Sequence, residues 1–161
     1  MVGALCCWGE KTERMKYCTI NTDASVDLKT GCSGYAFWIV SSSFKFRGYG
    51  KFKSPIFDSN EAEMKAVINA MHLLCERDIS CIEAVVVNVD NSTARYVING
   101  KVKSFKSKTL DETRSVLQEH CSKFPKCYAK DIKGHTSKKS PRHYVNRWCD
   151  EYSRKGRESS E

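Results

Sequence analysis

Four acidic residues stand where an acid is worth explaining. Asp23 ends a first strand within the phrase INTDAS, Asp90 follows the apolar run AVVVNV, Glu63 lies in the first turn of a helical stretch, and Asp150 lies beside the apolar stripe of the last helical stretch. Several carboxylates brought within a few ångströms suit phosphodiester cleavage with two metal ions, one activating water and the other stabilising the leaving oxygen. Mg2+ takes oxygen ligands and keeps several waters, so four acids are enough. The plain alternative for each acid alone is structural. Asp90 is placed to cap a helix starting near Asn91, and solvated surface acids are common. Only the set points to chemistry. Glu61 competes with Glu63 for the second position.

The elements that must position these acids follow from the pattern. Lys16–Asp23 alternates and is rich in β-formers, as are 34–42 (GYAFWIVSS) and 44–52 (FKFRGYGKF), with a Ser-rich joint between the last two. These read as three strands of an antiparallel meander. From 60 to 76 the period becomes helical, with Met64, Val67, Ile68, Met71, Leu74 and Cys75 on one stripe and Ser59 or Asn60 as the cap. Residues 84–89 are almost wholly apolar and β-branched, the signature of a strand buried on both faces, as in parallel sheets. A short helix is expected over 91–98. Thr109-x-x-Glu112 gives a capping box before a helix carrying Leu110, Leu117, Cys121 and Phe124. Residues 127–132 make a last strand, and Tyr144, Val145, Trp148, Cys149 and Tyr152 stripe a final helix. The expected order is βββ-α-β-α-α-β-α: an α/β domain with a mixed five-stranded sheet, three strands antiparallel and then two parallel, flanked by helices.

Length and composition set the frame. A chain of 161 residues fits one domain that buries a core without disulfides. We expect an N-terminal extension over 1–15, the catalytic domain over 16–156 and a polar tail over 157–161. The 27 Lys plus Arg outnumber 19 Asp plus Glu, and a charge of +8 favours polyanions through counterion release. Nine cysteines are an odd number without any C-x-x-C pair; Cys6-Cys7 and Cys121…Cys127 lack zinc spacing. Free thiols imply a reducing compartment, and a cytoplasmic setting is expected. No run of about 18 apolar residues is present, so no membrane span is expected, and the start MVGALCCWGE lacks the basic leader of a signal peptide.

Over about Tyr17 to Lys155 the sequence resembles type 1 ribonuclease H. TDAS at 22–25 stands for the family's T-D-G-S strand end, and Gly34-Tyr35-Ala36 for its G-Y turn. Asn60-Glu61-Ala62-Glu63 looks like the Asn, A-E and helix motif, and Val89-Asp90-Asn91-Ser92 like the buried strand ending T-D-S. Ile132-Lys133-Gly134-His135 followed by Asn146-Arg147-Trp148-Cys149-Asp150 is similar to the final G-H, loop, N-x-x-x-D. Each motif is short, but four in order, each with its acid, make a specific match. The resemblance implies the ribonuclease H-like fold and hydrolysis of the RNA strand of RNA–DNA hybrids by a monomer. It implies two Mg2+ ions per site, with Mn2+ as a substitute, held by Asp23 as the bridge and by Glu63, Asp90 and Asp150; the family register favours Glu63 over Glu61. His135 would assist proton transfer or product departure, a task suited to a side chain titrating near 6.5; the alternative is a surface histidine. His143 is a second candidate, and His72 and His120 have no assigned role. Ser25, Ser59, Asn60, Asn91 and Asn146 fall at positions expected to touch nucleic acid.

The chain also departs from the family. The loop after His135 is longer and more basic, placing Lys138 and Lys139 as phosphate contacts. The family's Asn pair before the second acid is reduced to Ser59-Asn60, which bears on reading of the ribose 2′-hydroxyl. Where some members carry a basic handle with tryptophans, this chain has Lys101, Lys103, Lys106 and Lys108 around Phe105. Alternating lysines with one aromatic suit a phosphate track with modest stacking, and equally a solvated loop. Two rival readings remain open at this level: a DNA nuclease of the resolvase or integrase kind on the same fold, and a non-catalytic nucleic-acid-binding module.

Overall fold

The computed structural model describes residues 16–131 and 141–159. The strands are β1 (Lys16–Val26), β2 (Ser33–Ser41), β3 (Lys45–Lys51), β4 (Ile82–Asn88) and β5 (Lys126–Lys130). The helices are α1 (Ser59–Cys75), α2 (Ser92–Ile98), α3 (Lys108–Cys121) and α4 (Pro141–Glu158). One sheet runs β3-β2-β1-β4-β5. β1 pairs antiparallel with β2, β2 antiparallel with β3, and β1-β4-β5 run parallel. The mixed sheet is the one expected, with strand and helix ends moved by one to three residues.

Side-chain alternation divides the sheet into two working faces. Cys18, Ile20, Phe37 and Ile39 pack with Val85 and Val87 against Met64, Val67, Met71 and Leu74 of α1 and Leu117 of α3. On the other face Ala36 and Trp38 meet Cys149, with Val145, Trp148 and Tyr152 of α4 around them. β4 is buried on both sides except at Glu83, which accounts for its almost unbroken valines.

α4 sits against backbone. A methyl on Gly34 would collide with the main chain of α4 at Ser153 and Arg157, and one on Gly156 would collide with the main chain of Gly50. The absence of Cβ at both positions permits the close approach.

Three helix starts differ from those expected. Asp58, not Ser59 or Asn60, caps α1, accepting the N–H groups of Asn60 at 2.7 Å and Glu61 at 3.4 Å. Asn91 caps α2 by accepting the Ala94 N–H at 2.8 Å, so the Asp90 carboxylate is not spent as a cap. The capping box at Thr109 and Glu112 does not form: Ser107 caps α3, and Thr109 already lies inside the helix. The Asp111 carboxylate accepts the Phe105 N–H at 2.9 Å, which fixes the chain's approach and starts the helix earlier. Among the described residues no helix is long and apolar enough to cross a membrane, and the seven described cysteines are free thiols.

Candidate metal centre and active site

Strand register brings the acids together. β1 and β4 run parallel with Asn21 opposite Asn88, and this pairing is the last between them. Asp23 and Asp90 each follow two residues on. β1 continues to Val26 against β2 alone, so Asp23 marks the end of the β1–β4 pairing and not, as expected, the end of its strand. Glu63 lies in the second turn of α1, one turn later than expected. Carboxylate oxygens of Asp23, Glu63 and Asp90 all lie within 4.8 Å of one another.

Glu61 is occupied elsewhere. Its Oε1 accepts from Lys65 Nζ at 2.6 Å, one turn along the same helix. Geometry therefore places Glu63 and not Glu61 in the cluster.

Asp150 stands beside Asp23, and its charge raises the Asp23 pKa. Its own oxygens accept from Arg154 Nη2 at 2.9 and 3.1 Å, an exposed pair one helical turn long. Exposed pairs of this kind contribute about 0.3–0.5 kcal/mol, little enough for a cation to displace.

Burial and crowding dominate the electrostatics. The Asp23 carboxyl is pushed up to about 7, first by burial and then by the charges of Asp90 and Asp150. Glu63 is held well above the usual carboxylate range, again by burial first and then by Asp23 and Asp90. Glu63 Oε2 is buried without a hydrogen-bond partner among the described residues. An orphaned carboxylate oxygen beside two further acids fits a bound divalent cation, which would relieve the repulsion and supply the missing partner. A donor set made only of carboxylate oxygen suits Mg2+ or Mn2+ and not a thiolate-preferring metal.

Polar residues around the cluster carry less sequence signal. Asn88 Nδ2 donates to Asn21 Oδ1 at 3.0 Å, and Asn21 Nδ2 donates to the Trp38 carbonyl at 3.2 Å; both side chains are buried. Arg95 Nη1 donates to the carbonyls of Val89 at 3.2 Å and Asp90 at 2.7 Å, tying down the chain where Asp90 emerges. Ser153 Oγ lies 3.5 Å from Asp23 Oδ2. The sequence signal for these is faint: one asparagine inside VVVNV, and the i,i+4 spacing of Asp150 and Arg154.

The expected nucleic-acid contacts divide. Asn91 Nδ2 donates to Asn60 Oδ1 at 2.9 Å, joining the starts of α1 and α2 beside the acids. Asn146 is half-buried one helical turn before Asp150, Ser59 is exposed at the start of α1, and Ser25 is half-buried opposite Gly34. Lys101, Lys103, Lys106 and Lys108 are all exposed, and Phe105 between them is partly buried against the core. Lys138, Lys139 and His135 lie outside the described residues, as does the side chain of His143.

A family model described as RNase H matches residues 15–158. No curated protein matches the chain in sequence. Among solved structures, the N-terminal RNase H domain of a Mycobacterium tuberculosis protein, fused to maltose-binding protein, superposes with a TM-score of 0.68 at 16% identity, covering 88% of this chain and 93% of that one. RNase H1 from the halophilic archaeon Halobacterium salinarum gives 0.67 at 15% identity over 87% and 96% of the two chains. LC11-RNase H1 in complex with an RNA/DNA hybrid gives 0.67 at 20% identity over 86% and 94%. At these identities the structural likeness is one of fold.

Proposed function

This chain belongs to the RNase H family, and from that premise we propose that it hydrolyses the RNA strand of RNA–DNA hybrids with two divalent ions, Mg2+ or Mn2+, at the carboxylate cluster. The observation that carries the proposal is the convergence of Asp23, Glu63 and Asp90 within 4.8 Å in a chain matched by that family's model over most of its length. The hybrid found with one structural neighbour supports the choice of substrate.

Asp23, central to the crowd, would help hold both ions in this reading. Buried Glu63 and exposed Asp90 would complete the ligand set, and Asp150 would join by releasing Arg154. Bound divalent ions supply a hydroxide nucleophile near neutral pH and stabilise charge on the leaving oxygen. In this reading the linked amides of Asn60 and Asn91 contact the ribose 2′-hydroxyl, the group that separates RNA from DNA. His135, assigned from the Gly-His motif, moves a proton or helps product leave. His135→Ala should then slow cleavage by about 10²–10⁴-fold without loss of metal binding.

Labelled RNA–DNA hybrid, duplex RNA and duplex DNA, each incubated with Mg2+ or Mn2+, test the reading. Cleavage confined to the RNA strand of the hybrid is expected. Cleavage of duplex DNA would assign the fold to a DNA nuclease. Three intact substrates with both metals would leave only a binding role.

A further inference from the structure

The edge strand β3 carries a second feature that the acids do not use. Its residues facing α4 are Lys45, Arg47, Tyr49 and Lys51, all exposed, alternating with inward Phe46, Gly48 and Gly50. Arg47 lies directly opposite Trp38. Its guanidinium carbon is 4.5 Å from the centre of the Trp38 ring and 4.7 Å from that of Trp148. The two indoles stand at 77° to each other, so the guanidinium is seated in the corner between them.

Indole faces attract a guanidinium but accept none of its hydrogen bonds. Among the described residues Arg47 has no ion pair and no hydrogen bond, so its five donors are held in place and unspent. A planar, anchored fork of this kind matches phosphate oxygens. Lys45 and Lys51 stand to either side of Arg47 and Tyr49, and alternate residues of a strand are about 7 Å apart. Tyr49, half exposed, packs on Tyr152 at 4.9 Å and adds an aromatic surface to the same row. On α4, Glu151 and Glu158 are already engaged by Lys155 and Arg157, which leaves the β3 cations unneutralised.

We propose that this stripe of Lys45, Arg47, Tyr49 and Lys51 is a second nucleic-acid contact surface, gripping substrate phosphates away from the carboxylate cluster. The proposal rests on the reading of the chain as a nuclease for hybrids. Asp23, Ala36 and Tyr49 form one cross-strand row, and Arg47 lies one step further along the edge. From strand spacings that places the Arg47 backbone about 12 Å from that of Asp23. A duplex engaged at the acids extends well past that distance, and its polyanionic backbone complements the stripe.

Binding of labelled hybrid, measured by fluorescence anisotropy against salt concentration without divalent metal, tests the proposal separately from cleavage. Arg47→Ala should weaken binding and lower the slope of log K against log salt by about 0.9 for each phosphate it no longer neutralises. Lys45→Gln combined with Lys51→Gln, which alters only exposed side chains, should lower the slope in the same way and keeps the test open if Arg47→Ala disturbs packing. Lys123→Gln with Lys126→Gln, exposed and on the far side of the sheet, matches the change in charge and should leave the slope unchanged. Unchanged affinity and slope in the folded β3 variants would overturn the proposal. So would an equal effect in the control pair, which reduces the matter to net charge. Loss of polyglutamate binding with hybrid binding intact would give the surface to an acidic protein and likewise overturn it. Absent cleavage with the predicted slope changes would count against the nuclease reading alone.

Discussion

Asn88 donates its side-chain amide to Asn21 Oδ1 at 3.0 Å across the last pairing of β1 and β4, and each asparagine stands two residues before an acid, Asp90 and Asp23. The two strands are thus fastened by a buried polar rung immediately below the carboxylates. The rung is asymmetric. Asn21 also donates to the Trp38 carbonyl, whereas Asn88 Oδ1 has no partner among the described residues.

That asymmetry gives unequal costs. Asn21→Val strands the whole Asn88 amide in the interior and should cost about 1–3 kcal/mol. Asn88→Val strands Asn21 Oδ1 but removes an acceptor that was already orphaned, so its cost should stay below about 1 kcal/mol. Both gain similar apolar surface, so the comparison isolates the hydrogen bonds. Denaturant unfolding of the two variants measures the difference; equal midpoints would refute the asymmetry, and midpoints equal to the parent's would show that the rung contributes nothing.

The second prediction concerns how Asp150 is held. Gly156→Ala gains about 1 kcal/mol of helix propensity. Its new methyl meets the backbone of Gly50, which cannot rotate aside as a side chain can. Overpacking costs about 1–3 kcal/mol and occasionally more, so the clash should win. Net destabilisation should come with slower cleavage, because α4 carries Asp150. A Gly156→Ala protein more stable than the parent would show that α4 does not dock so closely.

This close docking also marks a limit of the sequence. The Gly34-Tyr35-Ala36 motif is recognisable, but its physical reason, the passage of α4 over Gly34, depends on a residue pair more than a hundred positions apart. The valines of β4 and the stripe of α1 reveal the sheet and its main helix because burial there follows a simple period. Helix starts are less legible. Ser107 and Asp58 win the caps because neighbouring contacts such as Asp111 with Phe105 fix the approach of the chain. Asp23 and Asp90 can be picked from their places after strands, while residue pattern alone leaves Glu63 and Glu61 equal until the Lys65 contact removes Glu61. Arg47 gives no signal of its own, since its seat is built from Trp38 and Trp148 on separate elements.

The third prediction follows from the raised Asp23 carboxyl. Its folded value of about 7 exceeds the ordinary 3.8, so the folded protein binds the proton more tightly than the unfolded chain does. The stability this contributes is full below about pH 4 and is lost as pH rises through about 7. In EDTA, wild-type thermal stability should therefore fall relative to Asp23→Asn across that window, leaving the variant the more stable above it. Mg2+ should narrow or reverse the gap, since cation binding favours the folded carboxylates. Parallel curves for the two proteins in EDTA would refute the crowding of the acids.

The most direct test of the central claim is single-turnover cleavage of the RNA strand of a labelled hybrid in Mg2+, comparing wild type with Asp23→Asn after circular dichroism has shown the variant folded. The account predicts cutting by the wild type and none by the variant, because the amide cannot replace the carboxylate shared by the cluster. A folded Asp23→Asn protein that cuts the RNA strand at the wild-type rate would contradict it.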